Sequence, residues 1–345
     1  MRARSSREGS SLVVDLSVQL GPLRLEHPVI NASGTMEIFD LADSLGDDIL
    51  RHPPVAAYVP KTITLEPRAG NRPPRILESA GGMINAIGLS GPGLAVFVAA
   101  DLPRLLSLPC PLILSIGGFS VPDYVSLATG LAQALDDAVD GTLGGQAPVA
   151  PYSGLSTGWI QRVGLELNIS CPNVHSACAS IGADPDETEA VVSAVRRVWP
   201  GLLVVKLTPN VTDITRIGQA AEAAGADAVA AVNTFKGLVL DRKSLKPYLG
   251  NVTGGLSGPA IKPLALRAVY DLFGIIGIPI VGMGGVASVQ DVVDFMACGA
   301  AVVAVGSSAF RDPGLAWDLA CGLGEVLEEC NYTVPELVGK AHYEG

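Results

Sequence analysis

Three side chains with chemical potential crowd into one short run, ELNISCPN at residues 166–173: Asn168, Cys171 and Asn173. Leu165, Leu167 and Ile169 make its first half read as a buried strand. The run then exits into two carboxamides and a thiol, groups that burial alone does not call for. Lys61 and Lys206 likewise end apolar, strand-like runs, AAYVPKT and LLVVKLT. A lysine placed there either slides its ammonium to the rim or answers an anion. GMGG at 282–285 and VGSS at 305–308 offer backbone that a ligand can approach closely, with N–H groups that suit a phosphate. Each alone would serve as a tight turn. Together they favour a phosphate-bearing cofactor or substrate, and two lysines at such a mouth suit an anionic ligand or a flavin, which is negatively charged when reduced.

These residues need elements to converge them. Short β-branched runs recur at 28–33, 56–62, 111–117, 164–170, 202–208, 227–234, 278–285 and 301–308. Helical patterns separate them: DETEAVVSAVRRVW with its Asp start, VTDITRIGQAAEAAG and SVQDVVDFMACG with their Gly stops. Near-continuous apolar strands alternating with helices predict a parallel sheet, and eight such units favour a closed (β/α)8 TIM barrel, fold class α/β. In that barrel the C-terminal strand ends gather into one mouth. The residues at those ends are Ala32-Ser33, Lys61-Thr62, Ser115, Asn168 to Cys171, Lys206, Thr208, Asn233-Thr234, Gly284-Gly285, and Gly306 with Ser307 and Ser308, so polar groups stand at almost every exit. The segment LSVQLGPLRLEH at 16–27 reads as a hairpin closing the opposite end. Two stretches break the repeat: a Gly-containing excursion over 235–260 and a Gly/Pro/Ser-rich insertion over 140–160.

The bulk properties fit a single such domain spanning 1–345, with 1–11 a polar, flexible tail. Of 345 residues, 48% are hydrophobic and 17% charged, which describes a large buried core. The formal net charge of −11 argues against nucleic acid and anionic membrane as partners. No apolar run reaches the roughly 18 residues that span a bilayer; GLAVFVAA breaks at DLPR. The expected setting is cytoplasmic. The six cysteines, Cys110, Cys171, Cys178, Cys298, Cys321 and Cys330, show no C-x-x-C pair and no iron–sulfur spacing. The plain expectation for each is a buried small hydrophobe. Only Cys171, and more weakly Cys178 in its polar loop, has the wrong neighbours for it. No metal site is expected.

The runs NASGT, PKTITLEPRAGNRPPRILESAGGMINAIGL, ELNISCPNV, VKLTPNVTDI, VNTFKG, GGLSGPAIKP, GMGGV and AVGSSAF follow one another in this order. The chain thereby resembles the class 1 dihydroorotate dehydrogenases, subtype B catalytic subunit, from about residue 15 to about residue 325. SCPN separates it from dihydropyrimidine dehydrogenase relatives, which typically lack that asparagine. The resemblance implies an FMN-containing barrel that oxidises dihydroorotate to orotate in pyrimidine biosynthesis. Cys171 is then the base that removes the C5 proton while a hydride leaves C6 for flavin N5. A proton alpha to a carbonyl is within reach of a positioned thiolate without metal. Lys61, Asn85, Ile87, Gly88, Leu89, Asn168, Asn173, Asn233 and Thr234 are implied to hold the substrate. Carboxamides offer an imide ring both donor and acceptor, and Lys61 with the backbone of NAIGL suits its carboxylate. Ala32, Ser33, Lys61, Thr62, Asn168, Lys206, Val232, Gly258, Gly284, Gly285, Gly306 and Ser307 are implied to hold FMN, with Lys206 at the N1–O2 edge.

Three places depart from the family pattern. Ser115 stands where an asparagine that touches FMN is usual, HSACAS replaces the Gly-Gly after SCPNV, and the 140–160 insertion is atypical. The resemblance also implies a homodimer, and electron delivery to NAD through a second subunit carrying FAD and an iron–sulfur cluster, in a heterotetramer. This chain has neither cluster-type cysteine spacing nor a G-x-G-x-x-G after a strand. Competing readings are an FMN barrel acting on another cyclic imide such as dihydrouracil, a sugar-phosphate isomerase or aldolase on the same fold, and a non-enzymatic flavin-binding scaffold.

Overall fold

The computed structural model describes residues 14–79, 81–141, 158–170 and 181–342. Cys171, Asn173, Cys178 and most of the 140–160 insertion fall outside the described residues.

The chain opens with an antiparallel hairpin, β1 (Val18–Leu20) and β2 (Leu23–Leu25). Seven strands then form one parallel sheet: β3 (Val29–Asn31), β6 (Leu112–Ile116), β7 (Val163–Asn168), β8 (Leu203–Lys206), β9 (Ala228–Ala231), β12 (Ile280–Met283) and β13 (Ala300–Val305). Their spatial order is β3-β13-β12-β9-β8-β7-β6. The expected second strand, 56–62, joins the two edges without a continuous ladder. On one side Tyr58 N–H donates to Pro111 O, Ile113 N–H to Tyr58 O, Ile63 N–H to Ser115 O and Gly117 N–H to Ile63 O, all within 3.0 Å. On the other side Ala56 N–H donates to Val29 O (3.1 Å). Beyond that point the Asn31 carboxamide replaces backbone: Nδ2 donates to Val59 O (2.8 Å) and Oδ1 accepts from Val59 N–H (2.9 Å). Pro60, which has no N–H to give, sits where a regular ladder would continue.

Alternation along each strand sorts side chains by face. Leu112, Leu114, Leu165, Leu167, Leu203, Val205, Val303 and Val305 point outward and pack with Leu127, Leu131, Val191, Val195, Ile217, Leu272, Phe295 and Leu323 of the surrounding helices. Ile30, Val59, Ile113, Val204, Ala230, Val281 and Ala304 point inward and cluster with Leu20, Leu23 and Leu25 of the hairpin, all three fully buried. The hairpin thus plugs the N-terminal end, as its sequence predicts. Each buried leucine contributes about 1.5–3 kcal/mol.

Helices start where the sequence marks them. Asp184 caps Pro185–Arg196, with Oδ1 accepting from the Asp186 and Glu187 amides. Asp213 caps Ile214–Ala223, and Ser288 with Asp291 forms a capping box on Val289–Ala297. The end of the insertion is pinned by Trp159, whose indole donates to Asp136 (2.8 Å) and packs on Trp199.

The 235–260 excursion is more ordered than its glycines predict. β10 (Phe235–Gly237) and β11 (Gly254–Ser257) pair with a second hairpin, β4 (Ile76–Ser79) and β5 (Gly82–Asn85), in a sheet ordered β10-β11-β5-β4. It stands beside the barrel mouth. Among the described residues no helix is long and apolar enough to cross a membrane.

Candidate active site

The C-terminal strand ends converge on one cavity of about 350 Å³, within the range of small-molecule sites. β3 delivers Ala32 and Ser33; the bridging segment delivers Lys61 and Thr62; β7 delivers Asn168; β8 delivers Lys206. Val232, Asn233 and Thr234 follow β9, Gly284 and Gly285 follow β12, and Gly306 and Ser307 follow β13. Asn85 ends β5, Ile87, Gly88 and Leu89 come just after it, and Gly258 follows β11; all five also line the wall. Every predicted ligand-contact residue that lies among the described ones therefore faces this single space. Cys171 and Asn173 lie outside them; Ser170, the last described residue before them, is buried beside Asn233.

Below the cavity the inward positions turn polar. Ser115 and Glu166 are register partners on β6 and β7, and Asn168 and Lys206 on β7 and β8. The Lys206 ammonium donates to Ser33 Oγ (2.9 Å) and lies 3.6 Å from Glu166 Oε1. Ser115 Oγ donates to that same Oε1 (2.8 Å) and shares a 2.9 Å hydrogen bond with Thr62 Oγ1. Thr62 Oγ1 accepts from Asn168 Nδ2 (3.1 Å). On the far side of Asn168, Ser170 Oγ donates to its Oδ1 (3.2 Å), and Asn233 Nδ2 donates to Ser170 Oγ (2.8 Å). One continuous chain of polar contacts thus links Asn168 and Asn233, the hydroxyls of Ser33, Ser115, Thr62 and Ser170, and the ion pair. Ser115 is fully buried and does not line the cavity.

The glycine corner is built from backbone. Gly285 has φ +84, and a Cβ there would meet Gly258 O at 2.8 Å and Lys262 Cβ at 2.9 Å, so a side chain would drive the two loops apart. A Cβ on Gly306 would meet nothing within 4 Å, because that glycine borders the open cavity. Ser308 Oγ donates to Val286 O (2.8 Å) and ties the two loops together. Behind them Lys262 is engaged by Asp291 and Asp294, and Asp291 also accepts from the Ala287 and Ser288 amides (2.8 Å each). Lys262 is therefore spent on the scaffold and not on the cavity.

The 85–89 loop is held from below by Asn71, whose amide N–H donates to Ile87 O (3.0 Å) and whose Nδ2 donates to Ala86 O (3.1 Å). Leu89 takes a left-handed conformation, φ +56, which costs a branched residue about 1–2 kcal/mol. That strain sits at the lip of the cavity. A second cavity of about 170 Å³ shares Lys61 and Thr62 with the first and contains Glu37 and Asp101. Burial raises the Glu37 carboxyl above its usual range, Lys61 opposes that, and Asp40 and Asp101 add to it.

Sequence reasoning missed several of these groups. Glu166 had a signal, as a lone charge inside an apolar strand. Met83 and Ser257 had none, since they reach the cavity from a sheet that was not foreseen. Ile76 and Phe310, both more than half exposed, form an apolar rim. The cysteine expectation needs correcting. Cys110 is buried, and burial pushes its thiol up to about 12. Cys298 and Cys321 are only half-buried, and Cys330 is exposed at the end of the helix Leu315–Cys330.

The family model for dihydroorotate dehydrogenase matches residues 15–140 and 160–327, and the break coincides with the insertion. The chain is 42% identical to "Dihydroorotate dehydrogenase B (NAD(+)), catalytic subunit" of Carboxydothermus hydrogenoformans over 95% of its own length and 98% of that protein. It is 40% identical to the protein of that name from Desulforudis audaxviator (96% and 99% covered) and 39% identical to that of Geotalea daltonii (94% and 97%). Its fold matches the crystal structure of DHODH in complex with ferulenol from Eimeria tenella, with TM-score 0.72, 22% identity, and coverage of 96% of this chain and 89% of that one.

Proposed function

The chain belongs to the dihydroorotate dehydrogenase family, and on that premise we propose that its cavity binds FMN and oxidises dihydroorotate to orotate in pyrimidine biosynthesis. The strongest support is the convergence of two lysines, three carboxamide or hydroxyl side chains from β7 and the β9 exit, and a glycine corner on one space. A dihydrouracil-type substrate lacks the carboxylate that we assign to Lys61 and the 85–89 loop.

FMN fits the residues present. The open face of Gly306, the Gly258–Gly285 contact and the adjoining Ser307 leave room for a phosphate against backbone. Lys206 is a buried cation with one wall on the cavity. FMN, when bound, supplies the two-electron acceptor that takes the hydride from C6.

The chain's own residues do the rest. Asn168, Asn233 and Thr234 hold the imide edge, joined by Asn173. Their orientation is fixed by Ser170, by Thr62 and by the Thr234 amide, which donates to Asn233 Oδ1 (2.7 Å). Asn210 ties the β8 and β9 exits together, donating to Thr234 O (3.1 Å) and accepting from the Lys236 amide (2.8 Å). Lys61 meets the substrate carboxylate. Cys171, three residues beyond Asn168, receives the C5 proton as thiolate. We read the setting as cytoplasmic, where such a thiol stays reduced.

The name "catalytic subunit" borne by the relatives supports a partner subunit, which we take to carry FAD and an iron–sulfur cluster and to pass electrons to NAD. Exposed Leu238, Leu240, Leu245 and Val252 on the excursion give a homodimer an apolar face. The test is anaerobic mixing of the purified, FMN-loaded protein with dihydroorotate. The flavin bleaches, and Cys171→Ser retains FMN while bleaching slows by orders of magnitude. An unchanged rate would remove Cys171 from the role of base.

A further inference from the structure

We infer that Glu166 and Ser115 tune the flavin's reduction potential by fixing how much of the Lys206 charge is left for it. This rests on the FMN reading above and extends it to two residues that need not touch the ligand.

Glu166 lies one inward layer beneath Asn168, in a barrel interior lined there mainly by apolar side chains such as Val204, Ala230, Val281 and Ala304, with the Asn31 carboxamide the one other polar group in that lining. Its side chain and that of Lys206 are each only 6% exposed. Each is the other's countercharge, so neither charge is buried alone. The contact between them is loose. At 3.6 Å the pair is longer than the bonds each makes elsewhere, Lys206 to Ser33 at 2.9 Å and Ser115 to Glu166 at 2.8 Å. An ammonium has three donors; Ser33 takes one, Glu166 faces another, and the side chain lines the cavity wall.

The pair is thus a fixed dipole with its positive end on the ligand side. Oxidised FMN is neutral in its ring system. With FMN in the cavity, hydride from dihydroorotate would bring two electrons and one proton and leave negative charge on the ring, while the substrate's second proton would go to the base. The ammonium favours that anion, and the carboxylate one layer deeper opposes it. Ser115 sets the size of the opposition, because its hydroxyl donates to the oxygen that faces Lys206. The family-typical asparagine at this position is implied to touch the flavin; in this chain the serine is turned to the carboxylate instead.

The experiment is anaerobic measurement of the flavin midpoint potential, with FMN affinity recorded alongside. Glu166→Gln should shift the equilibrium toward reduced flavin by tenfold or more, about 30 mV upward for a two-electron couple. Ser115→Ala, which strips the carboxylate of its donor, should move the potential the opposite way by a smaller amount. A merely structural role would weaken FMN binding without these opposite signs. A Glu166→Gln potential equal to or below that of the unsubstituted protein overturns the inference. If Glu166→Gln does not fold, an unmoved or raised potential in Ser115→Ala overturns it equally. Failure of the unsubstituted protein to take up FMN is a separate result that removes the cofactor reading itself.

Discussion

The two ends of the barrel interior use the same alternation of inward side chains for opposite purposes. At the N-terminal end the inward positions are Ala228, Val302 and Leu202, sealed by Leu20, Leu23 and Leu25. Two residues further along the same strands, Ile113 gives way to Ser115, Val204 to Lys206, and Glu166 and Asn168 follow Gly164. The lower end gains stability from apolar area removed from water. The upper end buries a charge pair and several amides and hydroxyls, an arrangement that a well-packed apolar layer would match or exceed in stability. It also supplies groups that line the cavity, Asn168 and Lys206 among them. The difference teaches that fold and chemistry are stacked along the barrel axis, and that each should be breakable without the other.

The largest expected effect is at the polar end. Lys206→Met leaves Glu166 without its countercharge and should cost about 3–5 kcal/mol of stability in denaturant titration. Adding Glu166→Gln to it should restore most of that loss, while flavin reduction by dihydroorotate stays slow. If the double variant regains both, the polar layer is scaffold only. At the plug, Leu23→Ala should cost about 2–5 kcal/mol and leave the reduction rate of the folded fraction within about twofold.

The same end offers a pH-dependent version of the test. His27 lies between the hairpin and β3, packs on Trp317, and accepts from the Val29 amide at Nδ1. Burial lowers its pKa to about 4, so the folded imidazole stays neutral down to that pH while the unfolded one takes up a proton near 6.5. Stability is therefore undiminished above about pH 6.5 and falls as pH drops toward 4, by roughly 3 kcal/mol at most, with no further loss from this group below. His27→Asn should flatten that stretch of the stability profile. An equal slope in both proteins would assign the acid sensitivity to other groups.

Much of the scaffold was legible because its signals are local. Continuous apolar runs for β7, β8 and β13, and Asp184, Asp213 and Ser288 as helix starts, need no tertiary knowledge. The polar strand ends were legible as a set, since eight exits can only meet at one mouth. What stayed hidden was non-local. The β4-β5-β11-β10 sheet is short and glycine-rich, so neither period nor propensity announces it. Glu166 is one charge within an apolar strand, and only the fold sets Ser115 and Lys206 on either side of its carboxylate. Lys262, inside the quoted GGLSGPAIKP run, is taken up by Asp291 and Asp294 from an element some thirty residues later.

The Asn31 carboxamide has a mechanical consequence. Lys61 and Thr62, both on the cavity wall, belong to a stave of the barrel that is attached to its neighbour partly by a side chain rather than by backbone rungs. If Lys61 holds the substrate carboxylate as proposed, affinity and closure of the ring would draw on the same few bonds, and solvent exchange at the Val59 amide should slow when dihydroorotate binds.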